Sequence, residues 1–156
     1  FTGRADRLLA DLQRQTQNDN LSFLLSSVVG EIGNNSFDHN LGNWRDIPGL
    51  YFTADLTAHI IVLSDRGQGV LTTLKKIKPQ IKDDADALTT AFYEHLSGRA
   101  PEQRGNGLKF VKKIITENNW ELEFRSGMAL CTIKNGVTNI TKSNINVPGT
   151  LAIIKF

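Results

Sequence analysis

The run His59-Ile60-Ile61-Val62-Leu63-Ser64 ends on a carboxylate, Asp65, and is followed by glycines at 67 and 69. Its centre is apolar without alternation. A short apolar run rich in β-branched residues suits a strand buried on both faces. Such a strand needs hydrogen-bonded neighbours on both edges, which commits the chain to a sheet with this segment inside it. Candidate neighbours are Leu50–Ala54 before it, and Trp120–Arg125, Met128–Lys134 and Thr150–Lys155 after it. Ser126-Gly127 reads as a hairpin turn. Asn135–Gly149 is polar, with four asparagines, and reads as a long, loose connection.

Helical segments are predicted in five places. Residues 4–16 carry Leu8, Leu9 and Leu12 on one side. A longer helix is predicted over 21–41, capped by Asp19 or Asn20, with Leu21, Leu25, Val28, Val29, Ile32 and Ser36 on its apolar face. Residues 70–78 stop before Pro79, and 85–96 start after Asp83 or Asp84. A helix over 108–118 turns Leu108, Val111, Ile114 and Ile115 inward. Gly42–Gly49, with Pro48, is a loop; residues 97–107 lack apolar periodicity and are predicted to be a mobile loop.

The order is helices, strands, helices, strands. That is an α+β arrangement: a two-layer sandwich whose mixed, mainly antiparallel sheet is covered on one face by helices. Strict βαβ alternation is missing, and neither G-x-x-x-x-G-K-[ST] nor G-x-G-x-x-G occurs.

The chain's 156 residues suffice for a single domain with a core. A net charge of +2 is too small to argue for nucleic acid or an anionic membrane. No apolar run approaches the ~20 residues that span a bilayer. Residues 1–20 are too polar for a signal peptide. Because the chain opens at Phe1 and its single methionine is Met128, the expectation is a piece of a longer protein. The lone Cys131 cannot form an internal disulfide. Its alternating surroundings, Ala129 to Ile133, favour a buried strand position, and a cytoplasmic setting fits.

Three short motifs carry candidate chemistry. Glu31, Asn35 and His39 recur every four residues and drift only about 80° around a helix, so they share one edge with Asp38. Asn35 offers a neutral carbonyl oxygen suited to Mg²⁺, and Glu31 a base for water or a hydroxyl. Asp65, directly after the buried strand, is held rigidly and can accept from an amino group, while Gly67 and Gly69 let a flat ligand approach the backbone. Gly105 and Gly107, just before a helix, can expose its N–H groups to phosphate, with Arg99, Arg104 and Lys109 nearby. Each motif alone also fits something plainer: a solvated helix face, an ordinary strand-to-helix turn, a flexible loop.

In order and spacing the three motifs resemble the N-box, G1 box and G2 box of the GHKL superfamily, the ATP-binding fold of gyrase, histidine kinases and MutL. Ala91-Phe92-Tyr93-Glu94 looks like the aromatic F-box of histidine kinases, and Gly149-Thr150 followed by Leu151-Ala152-Ile153-Ile154 is similar to the family's closing strand. The resemblance covers residues 20–156 and implies a Bergerat-type sandwich. It makes 1–156 one ATP-binding domain, with 1–18 a helical extension and about 70–106 an ATP lid. It further implies ATP and Mg²⁺ as ligands. Asn35 would ligate Mg²⁺, Asp65 would bind the adenine amine, and Gly67 and Gly69 would shape the adenine pocket. Gly105, Gly107 and Leu108 would bring the lid onto the phosphates, and Thr150 would assist at the adenine. Glu31 stands where the superfamily's ATPases and the anti-sigma-factor serine kinases, whose N-box is the nearest in form, carry the glutamate that is their general base, and the resemblance implies that role for it.

Two features depart from the pattern. Where the family's Gly-x-Gly-Leu-Gly-Leu has a glycine after its first leucine, this chain has Lys109, either a phosphate contact or a solvated side chain. No phosphoacceptor-histidine helix is found; His39 belongs to the N-box, His59 reads as a core or edge histidine, and His95 is unassigned. The resemblance thus implies a nucleotide-binding domain that passes the γ-phosphate to a protein partner, as a histidine-kinase-like or anti-sigma-type regulatory kinase in signal transduction. The alternatives are an ATPase switch within a larger protein and a catalytically inactive interaction module. Helix 4–16 either packs on the domain or pairs two copies in a homodimer.

Overall fold

The computed structural model describes residues 1–94 and 106–156 and places the apolar run inside the sheet. The elements follow the predicted order: α1 (Thr2–Thr16), α2 (Asp19–Asn40), β1 (Leu50–Asp55), β2 (Ile60–Asp65), α3 (Gly69–Lys75), α4 (Asp84–Tyr93), α5 (Gly107–Glu117), β3 (Glu121–Lys134) and β4 (Val137–Lys155). Among the described residues the strands form one sheet in the order β1-β2-β4-β3, with every pairing antiparallel. The architecture is therefore α+β, as expected.

Burial shows which face the helices cover. Along β2, Ile61, Leu63 and Asp65 are buried while Ile60, Val62 and Ser64 are half-exposed. The expectation of a strand buried on both faces is thus corrected: β2 is internal by hydrogen bonding but enclosed on one face only. The helix-facing side joins Ile61, Leu63, Leu122, Phe124, Ala152 and Ile154 to Leu25, Val28, Val29 and Ile32 of α2 and to Val111 and Ile115 of α5. His59 lies outside the strand, exposed in the preceding turn with a φ of 55°, its ring edge-on to Phe156 at 5.3 Å.

The largest difference from the sequence reading lies at the C-terminal hairpin. Ser126-Gly127 is no turn; β3 runs through it, and the register shifts on both sides of Gly127. Leu122, Phe124 and Ser126 are buried before the shift, and Ala129, Cys131 and Ile133 after it. The irregularity moves the buried positions of β3 from even to odd numbers and so keeps the same face of the strand on the core. Gly127 takes φ +57°, and a Cβ there would overlap the Asp84 carboxylate, which accepts from Met128 N–H at 2.9 Å. The turn is Asn135-Gly136, with φ of 51° and 74°, the two-residue geometry an Asn-Gly pair favours. The expected loose connection over 135–149 is largely the first half of β4, polar because it stays exposed beyond the end of β2.

Two further expectations concern α2 and Cys131. The α2 cap is Asn18, not Asp19 or Asn20; its side chain accepts from Leu21 N–H at 3.0 Å. Cys131 is fully buried on β3, as expected, and burial pushes its thiol up to about 12.

The helix α1 packs on the domain. Leu8 and Leu12 are buried in the main core, and α1 lies against α2. Leu12→Ala is expected to cost about 2–5 kcal/mol, read as a lower urea midpoint with a single unfolding transition. An unchanged midpoint would mean that α1 is a detached extension.

Candidate functional site

At the end of β2 the sequence places a buried carboxylate among four donors from three segments. Asp65, 3% exposed, accepts through Oδ2 from Ser36 Oγ at 2.8 Å and Thr150 Oγ1 at 2.5 Å. Its Oδ1 accepts from Gly67 N–H at 2.8 Å and Asn40 Nδ2 at 3.3 Å. Ser36 and Asn40 come from α2, Gly67 from the turn after β2, and Thr150 from β4, directly opposite Asp65 in register. A carboxylate has about four lone-pair sites, so this one is enclosed by its own partners.

The glycines around it are required by space. A Cβ on Gly67 would overlap the Asn40 side chain. Gly149, at φ +88°, sits so close to the Asp65 backbone that any side chain would overlap it, and its Cβ would lie 2.7 Å from Gly67 N. Gly69, at φ +77°, starts α3; the next amide, Val70 N–H, donates to Ser126 Oγ at 3.0 Å, and that hydroxyl donates to Gly149 O at 2.8 Å. The second motif and the closing Gly149-Thr150 strand are thus bound into one unit.

The first and third motifs meet one to two turns along α2. A Cβ on Gly107 would lie 2.6 Å from Glu31 Oε2, 3.2 Å from Asn35 Nδ2 and 3.7 Å from Asn35 Oδ1. Only a bare backbone lets the start of α5 approach these side chains so closely. Glu31 is exposed and Asn35 half-buried. The Asn106 side chain makes no cap bond to α5, and the first-turn amides of 107–109 have no intrahelical acceptor. From Glu31 to Asn40, α2 carries the site over roughly 13 Å of its axis.

Oxygen donors of this kind suit Mg²⁺. The Asn35 carbonyl and Glu31 carboxylate are hard ligands, but no group of three His, Cys, Asp or Glu able to hold a metal exists among the described residues. That donor set fits an ion held chiefly by phosphate and water.

The predicted residues fall into three groups. Asp65, Gly67, Gly69 and Thr150 come together at one end of the α2 edge; Glu31, Asn35 and Gly107 come together at the other. Leu108 is partly buried against the core. Lys109 points elsewhere: its ammonium donates to Glu94 O, past the end of α4, and burial lowers its pKa. Gly105, with Arg99, Arg104 and His95, lies outside the described residues. Much of the expected 70–106 lid that is described is firmly packed, for Leu88 and Phe92 of α4 are core residues and Phe92 stacks edge-on against Phe124 at 5.5 Å. Sequence reasoning did not assign Ser36, Asn40, Ser126 or Gly149 to the site. Ser36 carried a signal, a polar residue on the apolar face of α2.

Two hollows, of about 320 and 350 Å³, lie away from this cluster, one beside His59 and Phe156 and one between α4 and α5 at Tyr93 and Lys112. Neither is lined by Asp65.

No family model matches the sequence, and no curated protein matches it. Among solved structures, the chain is similar to the ATPase region of Saccharomyces cerevisiae topoisomerase II, at 16% identity and a TM-score of 0.50. The likeness is one of fold. The match covers 82% of this chain but 36% of that one.

Gly67→Ala is expected to lose about 1–3 kcal/mol through overpacking against Asn40, read by urea denaturation. Gly30→Ala, where a Cβ would meet only Ala5 at 3.9 Å, is the control and is expected to be neutral or stabilising. Equal behaviour of the two variants would contradict the packing described.

Proposed function

We propose that this chain binds Mg-ATP along the edge of α2 and passes the γ-phosphate to an oxygen acceptor activated by Glu31. The observation that carries the reading is the convergence of residues of three sequence-distant motifs on that edge, with the buried acceptor Asp65 at one end and the first turn of α5, at Gly107, at the other. Asp65 with Thr150 would take the base, exchanging one of its present donors for the exocyclic amine. The α5 N-terminus would face the phosphates, where backbone N–H groups favour anions. Asn35 would be the protein's ligand to Mg²⁺, which when bound neutralises phosphate charge. Glu31, exposed beside Gly107, would accept the proton of the attacking oxygen.

The acceptor is a hydroxyl of a protein partner in the kinase reading. The second reading, hydrolysis with water as acceptor inside a larger protein, is favoured by the similar structure's being an ATPase region. The exposure of Glu31 suits both. Label transfer from γ-labelled ATP to protein distinguishes the first, and release of phosphate alone the second.

Asp65→Asn places an amide N–H₂ among donors, so calorimetric titration with a non-hydrolysable ATP analogue and Mg²⁺ is expected to show binding abolished. Wild-type affinity in that variant would put the pocket elsewhere. Glu31→Ala is expected to retain binding and to lose turnover by on the order of a hundredfold or more; turnover at the wild-type rate would remove Glu31 from the chemistry.

A further inference from the structure

The last residue of α2, Asn40, does more than end a helix. It is 4% exposed, and its amide is satisfied on both sides. Nδ2 donates to Ser36 O at 2.8 Å and to Asp65 Oδ1 at 3.3 Å, while Oδ1 accepts from Gln68 N–H at 2.9 Å. Two acceptors on one side and a backbone donor on the other leave a single consistent amide orientation. The side chain also fills the space that makes Gly67 necessary. Asn40 thus touches both parts of the base end, the carboxylate and the Gly67-Gln68 backbone, and binds them to the same helix that carries Glu31 and Asn35.

We infer that Asn40 is a positioning residue for nucleotide binding: it aims the Asp65 carboxylate and holds the Gly67-Gln68 backbone in the form that receives the base. This rests on the Mg-ATP reading above.

Asn40→Asp tests this. The new carboxylate would stand in place of the amide donor, facing the Asp65 carboxylate and Ser36 O. Two carboxylates at this separation share a proton at low pH and repel each other at high pH. Other charged groups nearby are Arg66, paired with Asp46 at 2.5 Å, Lys76, whose ammonium donates to Gln68 Oε1 at 3.1 Å, and Asp38 and His39 on α2. All of these are present in the neutral variant Asn40→Ser, which serves as the control for their titration.

The measurement is calorimetric titration of the Mg-ATP analogue into wild type, Asn40→Asp and Asn40→Ser at about pH 6 and about pH 8, both above ordinary carboxylates. Asn40→Asp is expected to bind on the order of tenfold more weakly at the higher pH than at the lower, relative to wild type. Asn40→Ser is expected to bind more weakly than wild type by the same factor at both. Wild-type affinity in Asn40→Ser, or pH-independent affinity in Asn40→Asp, would overturn the assignment while leaving the ATP reading intact. Should Asn40→Asp not fold, Asn40→Ser decides alone. No binding by wild type would overturn the ATP reading itself, and the role of Asn40 in it.

Discussion

The buried carboxylate of Asp65 is the constraint around which the rest of the site is arranged. An acidic side chain removed from water is costly unless donors replace the hydration it loses. Here they come from α2, the turn after β2, and β4. None of these segments is close to another in sequence, so the carboxylate fixes their relative positions. The glycines follow from the same crowding: Gly67 gives room to Asn40, and Gly149 gives room to Asp65. Chemistry and packing make the same demand of these positions.

That demand explains which parts of the molecule could be read from sequence. The strand ending on Asp65 was legible because β-branched run, carboxylate and glycines are all local signals. The helices were legible from their spacing. The hairpin of β3 and β4 was not, since its outer half is polar and exposed and offers no alternation of hydrophobicity to detect. Gly127 reads as a turn residue because a strand irregularity and a turn both use a glycine at positive φ; what tells them apart is the tertiary contact with Asp84. The true turn, Asn135-Gly136, lies at the start of a stretch too polar to read as a strand.

Much the same division holds within the site. Motif spacing brought Glu31, Asn35 and Gly107 together and put Asp65 with Thr150, because periodicity along a helix and the end of a strand survive translation into space. The residues that support them were missed. Ser36 was counted with the apolar face of α2, and it does face inward, but toward a carboxylate that sequence alone could not place there. Lys109 follows a motif that resembles a phosphate loop, yet its ammonium is committed to the carbonyl of Glu94. Proximity in sequence to a glycine motif does not determine the direction of a long, flexible side chain.

The two ends of the α2 edge differ in kind. At the Asp65 end the carboxylate is buried and paired through both oxygens, so on the proposed reading little ordering would remain to be done on binding. At the Glu31 end that side chain is exposed, Asn35 is half-buried, and the α5 amides begin without a side-chain cap. On the proposed Mg-ATP reading, a paired end joined by one helix to an end with exposed groups would let binding energy from the base hold the phosphates against Glu31, so that a remote contact would contribute to the reacting geometry. The common element is α2: any disturbance of its last two turns would be felt at both ends, and Ser36 and Asn40, one turn apart, are where that helix is fastened to the sheet.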